Sequence, residues 1–336
     1  MKTKNTEMFI AWIKFQRRAS SMQPFFNFNL QFILPIFQQR KLKIFDYFGK
    51  GIETLWMLLK RRPKTLWVQL PPTPLLNIAL IYKRFFNKNM IIIADCHNGL
   101  FSDKWARFLG NCSTLNKADL ILVHNHVIER IAIERGVKAS KLLVLETKPA
   151  YKNTQNISSY NLNIQTPWIL MPCAFAIDEP ISVVFEAAKL IPEIQILISG
   201  DTRRAVGIHD LNKIPENVTL TGYLSEDDYE SLFIQAHAIL GLTTESHIQL
   251  SVANEATGFE KPMILSDTEL LRDLFNKGAV YVDTLSPMSL AEGIKTAILN
   301  KDSLAEDVRV LKIERNKKWE MQATRTKEAI KKLSLQ

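Results

Sequence analysis

The sequence predicts an α/β protein built from two doubly wound, Rossmann-like domains facing a cleft. Three observations carry this. The chain has 336 residues, more than one ordinary core needs and enough for two. Twelve apolar runs of strand length alternate with amphipathic stretches. The runs are nearly continuous in hydrophobicity, as strands covered on both faces of a parallel sheet must be. A polar, helix-poor stretch, YKNTQNISSYNLNIQTP (151–167), splits the runs into two sets of six and reads as a linker.

In order, the first set is MFIAW (8–12), LQFILPI (30–36), TLWVQL (65–70), MIIIAD (90–95), DLILVH (119–124) and LLVLE (142–146). Pro71, Pro72 and Pro74 end the third strand sharply. The second set is WILMP (168–172), IQILIS (194–199), NVTLTG (217–222), HAILGL (237–242), PMILSD (262–267) and AVYVD (279–283). From about Leu304 to Leu333 the chain has no Pro or Gly and reads as one long basic helix. The expected division is a first domain over 1–155, a second over 165–303, and a helix over 304–336.

Charged residues make up 23% and hydrophobic residues 46%, so the chain is globular. No apolar run approaches the roughly 20 residues of a membrane span. Glu7 and Lys14 interrupt any signal-peptide core, which points to the cytoplasm. Cys96, Cys112 and Cys173 lack CxxC spacing and suggest neither a metal site nor a disulfide framework. The net charge of +9 conceals an asymmetry: residues 1–160 hold 25 Lys/Arg against 9 Asp/Glu, whereas 161–336 hold 18 against 25. A basic first half suits an anionic membrane surface or a phosphorylated substrate. The aromatic-basic segment RRASSMQPFFNFNLQF (17–32) either dips into a bilayer interface or packs in the core. No nucleic-acid-binding pattern is present, and there is neither a GxGxxG at the first βα turn nor a GxxxxGK[ST], so dinucleotide enzymes and P-loop ATPases lose support.

The chemistry-bearing residues lie at predicted strand ends. SVANEATGFEKPMILSD (251–267) sets Glu255 on a short helix, Ser251 to Gly258, with Gly258 as its stop. Glu255 is either a carboxylate accepting hydrogen bonds from ribose hydroxyls or a solvated helix residue. SGDTRR (199–204) places Gly200, Arg203 and Arg204 after a strand. There the two guanidinium groups, with the helix N-terminus at Ser251, would hold a diphosphate without a metal. His247 is a further partner for the sugar or the diphosphate. Asp95 and His97 alternate with Cys96 at the end of MIIIA. Either could take a proton from an acceptor hydroxyl. Alternatively, His97 binds sugar or phosphate and Asp95 caps a helix after Ser102. The other histidines, His124 among them, read as ordinary polar or core residues.

Taken together and in this order, several of these motifs resemble the GT-B glycosyltransferases, in particular the family 4-like enzymes and the chitobiosyl-diphosphodolichol β-mannosyltransferases. They are LWVQLPPTPLL (66–76), MIIIADCHNG (90–99), ADLILVHNHVIERIAIERGVKASKLLVLE (118–146), Asp178-Glu179-Pro180, SGDTRR, NVTLTGYLSEDDYESLF (217–233) and the Glu255 segment. The resemblance implies transfer of a hexose from a UDP- or GDP-sugar to a lipid-linked or polysaccharide acceptor. It would take place at the inner face of the membrane and need no cofactor. It also implies that the last helix crosses back to the first domain. The chain departs from the family pattern at three places. His247 stands where a second Glu is common, Glu260 where a Gly precedes Lys-Pro, and no Gly-rich loop occurs near residues 14–18. A non-catalytic scaffold and a nucleotide-sugar epimerase are the alternative readings.

Overall fold

The computed structural model describes residues 7–36, 42–101, 112–149 and 167–335. The expected linker lies almost wholly outside them, as does the helix expected after Ser102. The chain forms two compact units, one of Met1–Lys148 with Lys317–Gln336, the other of Pro149–Asn316.

In the first unit, strands β1 (Glu7–Ala11), β2 (Asn29–Phe32), β3 (Thr65–Leu70), β4 (Ile91–Cys96), β5 (Leu120–Val123) and β6 (Leu142–Val144) form one sheet in the order β2-β1-β3-β4-β5-β6. Every pairing is parallel. Helices α1 (Arg17–Phe26), α2 (Lys43–Arg61), α3 (Thr73–Phe85) and α4 (His126–Glu134) connect them. All six residues of β3 and of β4 are buried, which explains their unbroken hydrophobicity. Strand alternation sorts side chains between two cores. Ile10, Val68, Ile92 and Val123 join Leu58, Leu75 and Ala79 on one face. Phe9, Trp67, Ile93 and Leu122 join Met22, Phe26, Phe28 and Trp319 on the other. There Trp67 lies 4.8 Å from Phe26 and 5.4 Å from Phe28, ring to ring. The 17–32 segment is thus a core element: its aromatic side chains close the sheet face, and Phe25 packs edge-on against Trp319 at 5.3 Å.

In the second unit, β7 (Trp168–Pro172), β8 (Gln195–Ser199), β9 (Val218–Gly222), β10 (Ile239–Gly241), β11 (Met263–Ser266) and β12 (Ala279–Val282) run in the order β12-β11-β10-β7-β8-β9, again all parallel. The helices are α5 (Ile181–Lys189), α6 (Glu226–Gln235), α7 (Ser251–Phe259), α8 (Glu269–Leu274) and α9 (Pro287–Leu299). Ser225, Thr268 and Ser286 cap α6, α8 and α9 through their side-chain oxygens. The final helix, α10 (Lys301–Leu333), gives its first part to this unit and its last part to the other. Val308 and Leu311 are buried in the second unit, where the Arg315 guanidinium donates to the Leu274 carbonyl at 3.2 Å. Trp319, Ala323 and Ile330 belong to the aromatic core of the first.

The end of α7 differs from the sequence expectation. Gly258 is a buried helical residue, and Glu260 takes the left-handed position that ends the helix, at φ 59°. An L residue there is strained by about 1–2 kcal/mol. Its carboxylate accepts from Lys312 at 2.7 Å and Arg309 at 3.3 Å, both on α10, so the departure from Gly ties the helix stop to α10. Glu260→Ala keeps the strain and loses the ion pairs, whereas Glu260→Gly loses the pairs and relieves the strain. We expect the Gly variant to be the more stable of the two by about 1 kcal/mol in urea denaturation of the full chain.

Candidate functional site

In open parallel sheets, ligands sit beyond the carboxyl ends of the strands where the strand order reverses. The second unit reverses between β7 and β10, and its candidate residues surround that point. After β7 the chain turns through Cys173–Pro180, where the Glu179 carboxylate accepts from the amides of Ala174 (3.1 Å) and Ala176 (2.7 Å). After β10, Thr243 donates its hydroxyl to Asp178 at 2.8 Å, and the Thr244 amide donates to the Asp178 carbonyl at 2.8 Å. The Asp-Glu element therefore builds the loops on both sides of the reversal. Gly200, after β8, has φ 151°, and a Cβ there would lie 2.0 Å from the Cys173 carbonyl oxygen. Only glycine permits that approach.

Glu255 sits one turn into α7, half-buried, and accepts a 2.5 Å hydrogen bond from the Tyr229 hydroxyl of α6. A carboxylate oxygen accepts more than one bond, so Tyr229 orients the carboxylate. Ser251 is the exposed first residue of α7, whose N-cap, Leu250, supplies no side-chain bond. First-turn amides without a side-chain cap suit an anion. His247 is half-buried in the preceding loop, its Nδ1 3.7 Å from the Glu245 carboxylate. Arg203 and Arg204 are exposed in the turn after β8. Arg203 folds onto Asp201, Nε to Oδ1 at 2.8 Å and Nη2 to Oδ2 at 2.8 Å. Such an exposed pair is weak enough for a ligand to displace. Strands β10 and β8 flank β7, so the segments leading to Glu255 and to the two arginines leave the sheet on either side of β7, from strands about 10 Å apart.

The first unit reverses between β1 and β3, and its polar cluster is buried beside that point. Gln16, after β1, caps α1. In the first turn of α1, Arg18 turns inward, 3% exposed, and meets Asp95 at the end of β4, which is fully buried. Nε lies 3.3 Å from each carboxylate oxygen and Nη2 3.1 Å from Oδ1. The guanidinium also donates to the carbonyls of Leu145 and Glu146 at 2.8 Å each. His124, at the end of β5, places Nε2 3.5 Å from Asp95 Oδ1. Its ring stands edge-on to His97 with centroids 4.5 Å apart. Half-buried His97 is reached by Gln16, whose Nε2 donates to the ring Nε2 at 3.3 Å, which leaves the neutral ring's proton on Nδ1.

This cluster corrects the expectation for Asp95. Burial alone would raise its pKa, but Arg18 and then His124 and His97 hold it well below the usual carboxylate range. A wholly buried carboxylate engaged by a guanidinium neither reaches an acceptor hydroxyl nor takes its proton. It positions Arg18 and His124 instead. Burial, with the His124 and Arg18 charges, pulls His97 down to about 3 despite Asp95. Burial and Arg18 pull His124 to about 4. Both rings are therefore neutral at pH 7. His97 is a hydrogen-bonding group, not a base matched to neutral pH. Asp95, His97 and His124 lie close enough to share a metal ion, with one ligand atom from each within 4.8 Å of the others. The Arg18 charge already satisfying Asp95 opposes a second cation there.

Arg18 and His124 are the residues that sequence reasoning passed over. Their signal was positional, since each follows a strand on the carboxyl edge. Arg18 also occupies the 14–18 stretch where the family pattern would place glycines. The depressed histidine pKa values fix a pH dependence. The unfolded chain protonates these rings below its ordinary value near 6.5 and the folded chain only near 3–4, so their contribution is complete above pH 6.5 and is lost as pH falls. Asp95 adds a further loss below 3.8. The urea midpoint of the full chain is expected to fall between pH 7 and pH 4.5, and to fall less steeply in His97→Gln; a slope unchanged by the substitution would contradict the burial argument.

No protein-family model matches the chain, and no curated protein matches it. Solved structures do. A glycosyltransferase from Rickettsia africae ESF-5 aligns with a TM-score of 0.65 at 14% identity, covering 97% of this chain and 90% of that one. The Anabaena protein HepE in complex with UDP and glucose aligns with a TM-score of 0.68 at 12% identity, over 96% of this chain and 100% of its own. A UDP-GlcNAc 2-epimerase from Methanocaldococcus jannaschii aligns with a TM-score of 0.58 at 13% identity, over 91% and 98%. At such identities the shared property is the fold, and with two parallel six-stranded sheets the fold of this chain is the GT-B architecture.

Proposed function

We propose that the protein is a glycosyltransferase that moves a hexose from a nucleotide diphosphate sugar to a lipid-linked or polysaccharide acceptor. The observation that carries this reading is Glu255, held by Tyr229 on the helix that follows β10, at the strand-order reversal. There the carboxylate accepts the two ribose hydroxyls. The α7 N-terminus, Arg203 and Arg204 face the diphosphate with positive charge. This is the electrostatic stabilisation a departing nucleoside diphosphate needs, supplied without a metal. His247 and Gly200 border the same position. On the acceptor side, His97 serves as a neutral hydrogen-bond partner, and Asp95 acts at one remove by positioning Arg18 and His124, against which His97 packs. HepE, seen with UDP-glucose as well as UDP, supports a UDP-sugar, and GDP-sugars remain in the test. The basic first half supports peripheral action at the inner face of the membrane. No described helix is long and apolar enough to cross one.

A non-catalytic scaffold is a second reading with its own observation: the Asp95 cluster presents no group titrating near neutral pH. An epimerase is the third, on the strength of the M. jannaschii structure. A panel of UDP- and GDP-sugars, incubated with and without membrane extract and with EDTA as a control, separates them. Transfer predicts extract-dependent release of nucleoside diphosphate with label entering the lipid or polysaccharide fraction, insensitive to EDTA. Epimerisation predicts a new sugar without extract, and a scaffold predicts neither. Glu255→Ala is expected to weaken donor binding by about 10- to 100-fold, the loss of charge-assisted hydrogen bonds, measured by calorimetry with the nucleoside diphosphate. An unchanged affinity would remove Glu255 from the site.

A further inference from the structure

Helix α2 is inside out. Its buried residues include Asp46, Lys50, Gly51 and Thr54, with Leu58 as the apolar exception. Lys50 and Asp46 pair with each other at 2.9 Å within the protein. Asp46 also accepts from the Ile36 amide at 2.6 Å, and Thr54 accepts from the Trp12 indole at 2.9 Å. The polar face is thus anchored to the unit by specific bonds, which fixes the helix rotation. The opposite face carries Ile44, Phe48, Ile52 and Trp56 at four-residue spacing, joined by Phe45. These are between 56% and 80% exposed. On a helical wheel these five span an arc of about 120°, the width of a face that is normally buried. The patch continues onto the neighbouring turn through Ile36, 55% exposed, whose Cδ1 lies 2.4 Å from where a Cβ on Gly49 would sit.

Charge identifies what covers this face. Residues 40–64 contain eight Lys/Arg against only Asp46 and Glu53, and the buried Asp46–Lys50 pair cancels internally. The remaining basic residues cluster at the two ends, in Arg40-Lys41-Leu42-Lys43 before the apolar face and Lys60-Arg61-Arg62-Pro63-Lys64 after it. Lys60 sits 4.7 Å over the Trp56 ring. An apolar helical face with an amphipathic tryptophan and basic residues at both ends matches the interface of an anionic bilayer, into which such helices lie flat.

We infer that α2 is an interfacial helix that seats the first unit on anionic lipid, with Phe45, Phe48, Ile52 and Trp56 entering the headgroup–acyl boundary. The inference refines the proposed membrane-surface transferase by naming the surface and the lipid chemistry, and it rests on that reading only for the purpose of the contact. It moves the membrane contact from the 17–32 segment, which packs in the core, to α2.

The test is flotation of the full chain with vesicles of phosphatidylcholine alone and of phosphatidylcholine with one quarter phosphatidylglycerol. Binding to the anionic vesicles is expected to fall at least tenfold in Phe48→Asp/Ile52→Asp and to be largely lost in 0.5 M NaCl. Brominated acyl chains should quench tryptophan emission in the parent chain and less in Trp56→Phe. Because the substituted side chains are exposed, the urea transition and nucleoside diphosphate affinity should match the parent. Those readouts test the donor site independently of lipid. Failure of the parent to float, equal flotation of the double variant, or a parent dimer in light scattering that Phe48→Asp dissociates would overturn the inference.

Discussion

The buried pair of Arg18 and Asp95 is the constraint on which the polar edge of the first unit depends. A charge inside a protein is tolerated only when its hydrogen-bonding capacity is filled, and breaking a comparable pair from one side costs about 3–5 kcal/mol. Arg18 meets this requirement by reaching the Asp95 carboxylate of β4 and the carbonyls of Leu145 and Glu146 beyond β6. One side chain thereby joins the chain after β1 to the ends of two other strands. The histidines follow from it. His124 is held beside Asp95, His97 packs against His124, and both stay neutral chiefly because burial disfavours their charged forms, with the guanidinium adding to it. The cluster is thus one buried ion pair with two neutral imidazoles around it.

The second unit solves the opposite problem, leaving polar groups near solvent where a ligand can reach them. Its loops are held by their own backbone: Glu179 fills the amides after β7, Asp178 links that turn to the one after β10, and Gly200 lets the β8 turn press against Cys173. With the loops fixed this way, Glu255, Ser251 and the two arginines need no burial to be positioned. The Arg203–Asp201 pair is exposed and weak, so the arginine is available at small cost. Glu260 belongs to the same logic. The helix bearing Glu255 ends in a strained residue that α10 holds in place.

Helix α2 shows how burial and polarity can be separated. Its polar groups face inward because the Asp46–Lys50 pair and the Thr54–Trp12 bond satisfy them there. The apolar stripe is then left outward by geometry, with basic segments before and after it in the sequence. The aromatic-rich 17–32 segment is the converse case. It too combines basic and aromatic residues, but its phenylalanines pack against Trp67 and Trp319.

Much of the architecture was legible in the sequence because strands buried on both faces must be apolar throughout. Each of the twelve runs became a strand, with TLWVQL and WILMP matching β3 and β7 residue for residue, and the Pro-free, Gly-free tail became α10. Local pattern also placed Asp95, His97 and Glu255 at strand ends or on the helix that follows one. What it lacked was partners. Asp95 reads locally as a proton acceptor or a helix cap because its partner Arg18 lies 77 residues away in the chain; His124 reads as an ordinary polar or core histidine, and Gly258 as a helix stop. Which face of α2 turns inward was equally hidden, since periodicity gives the stripe but not its neighbour. Sequence by itself determined the elements, because each follows from propensity and burial along a short segment. Only the tertiary structure decided which charges meet and which faces stay uncovered, because those depend on groups distant in the chain being brought within hydrogen-bonding range.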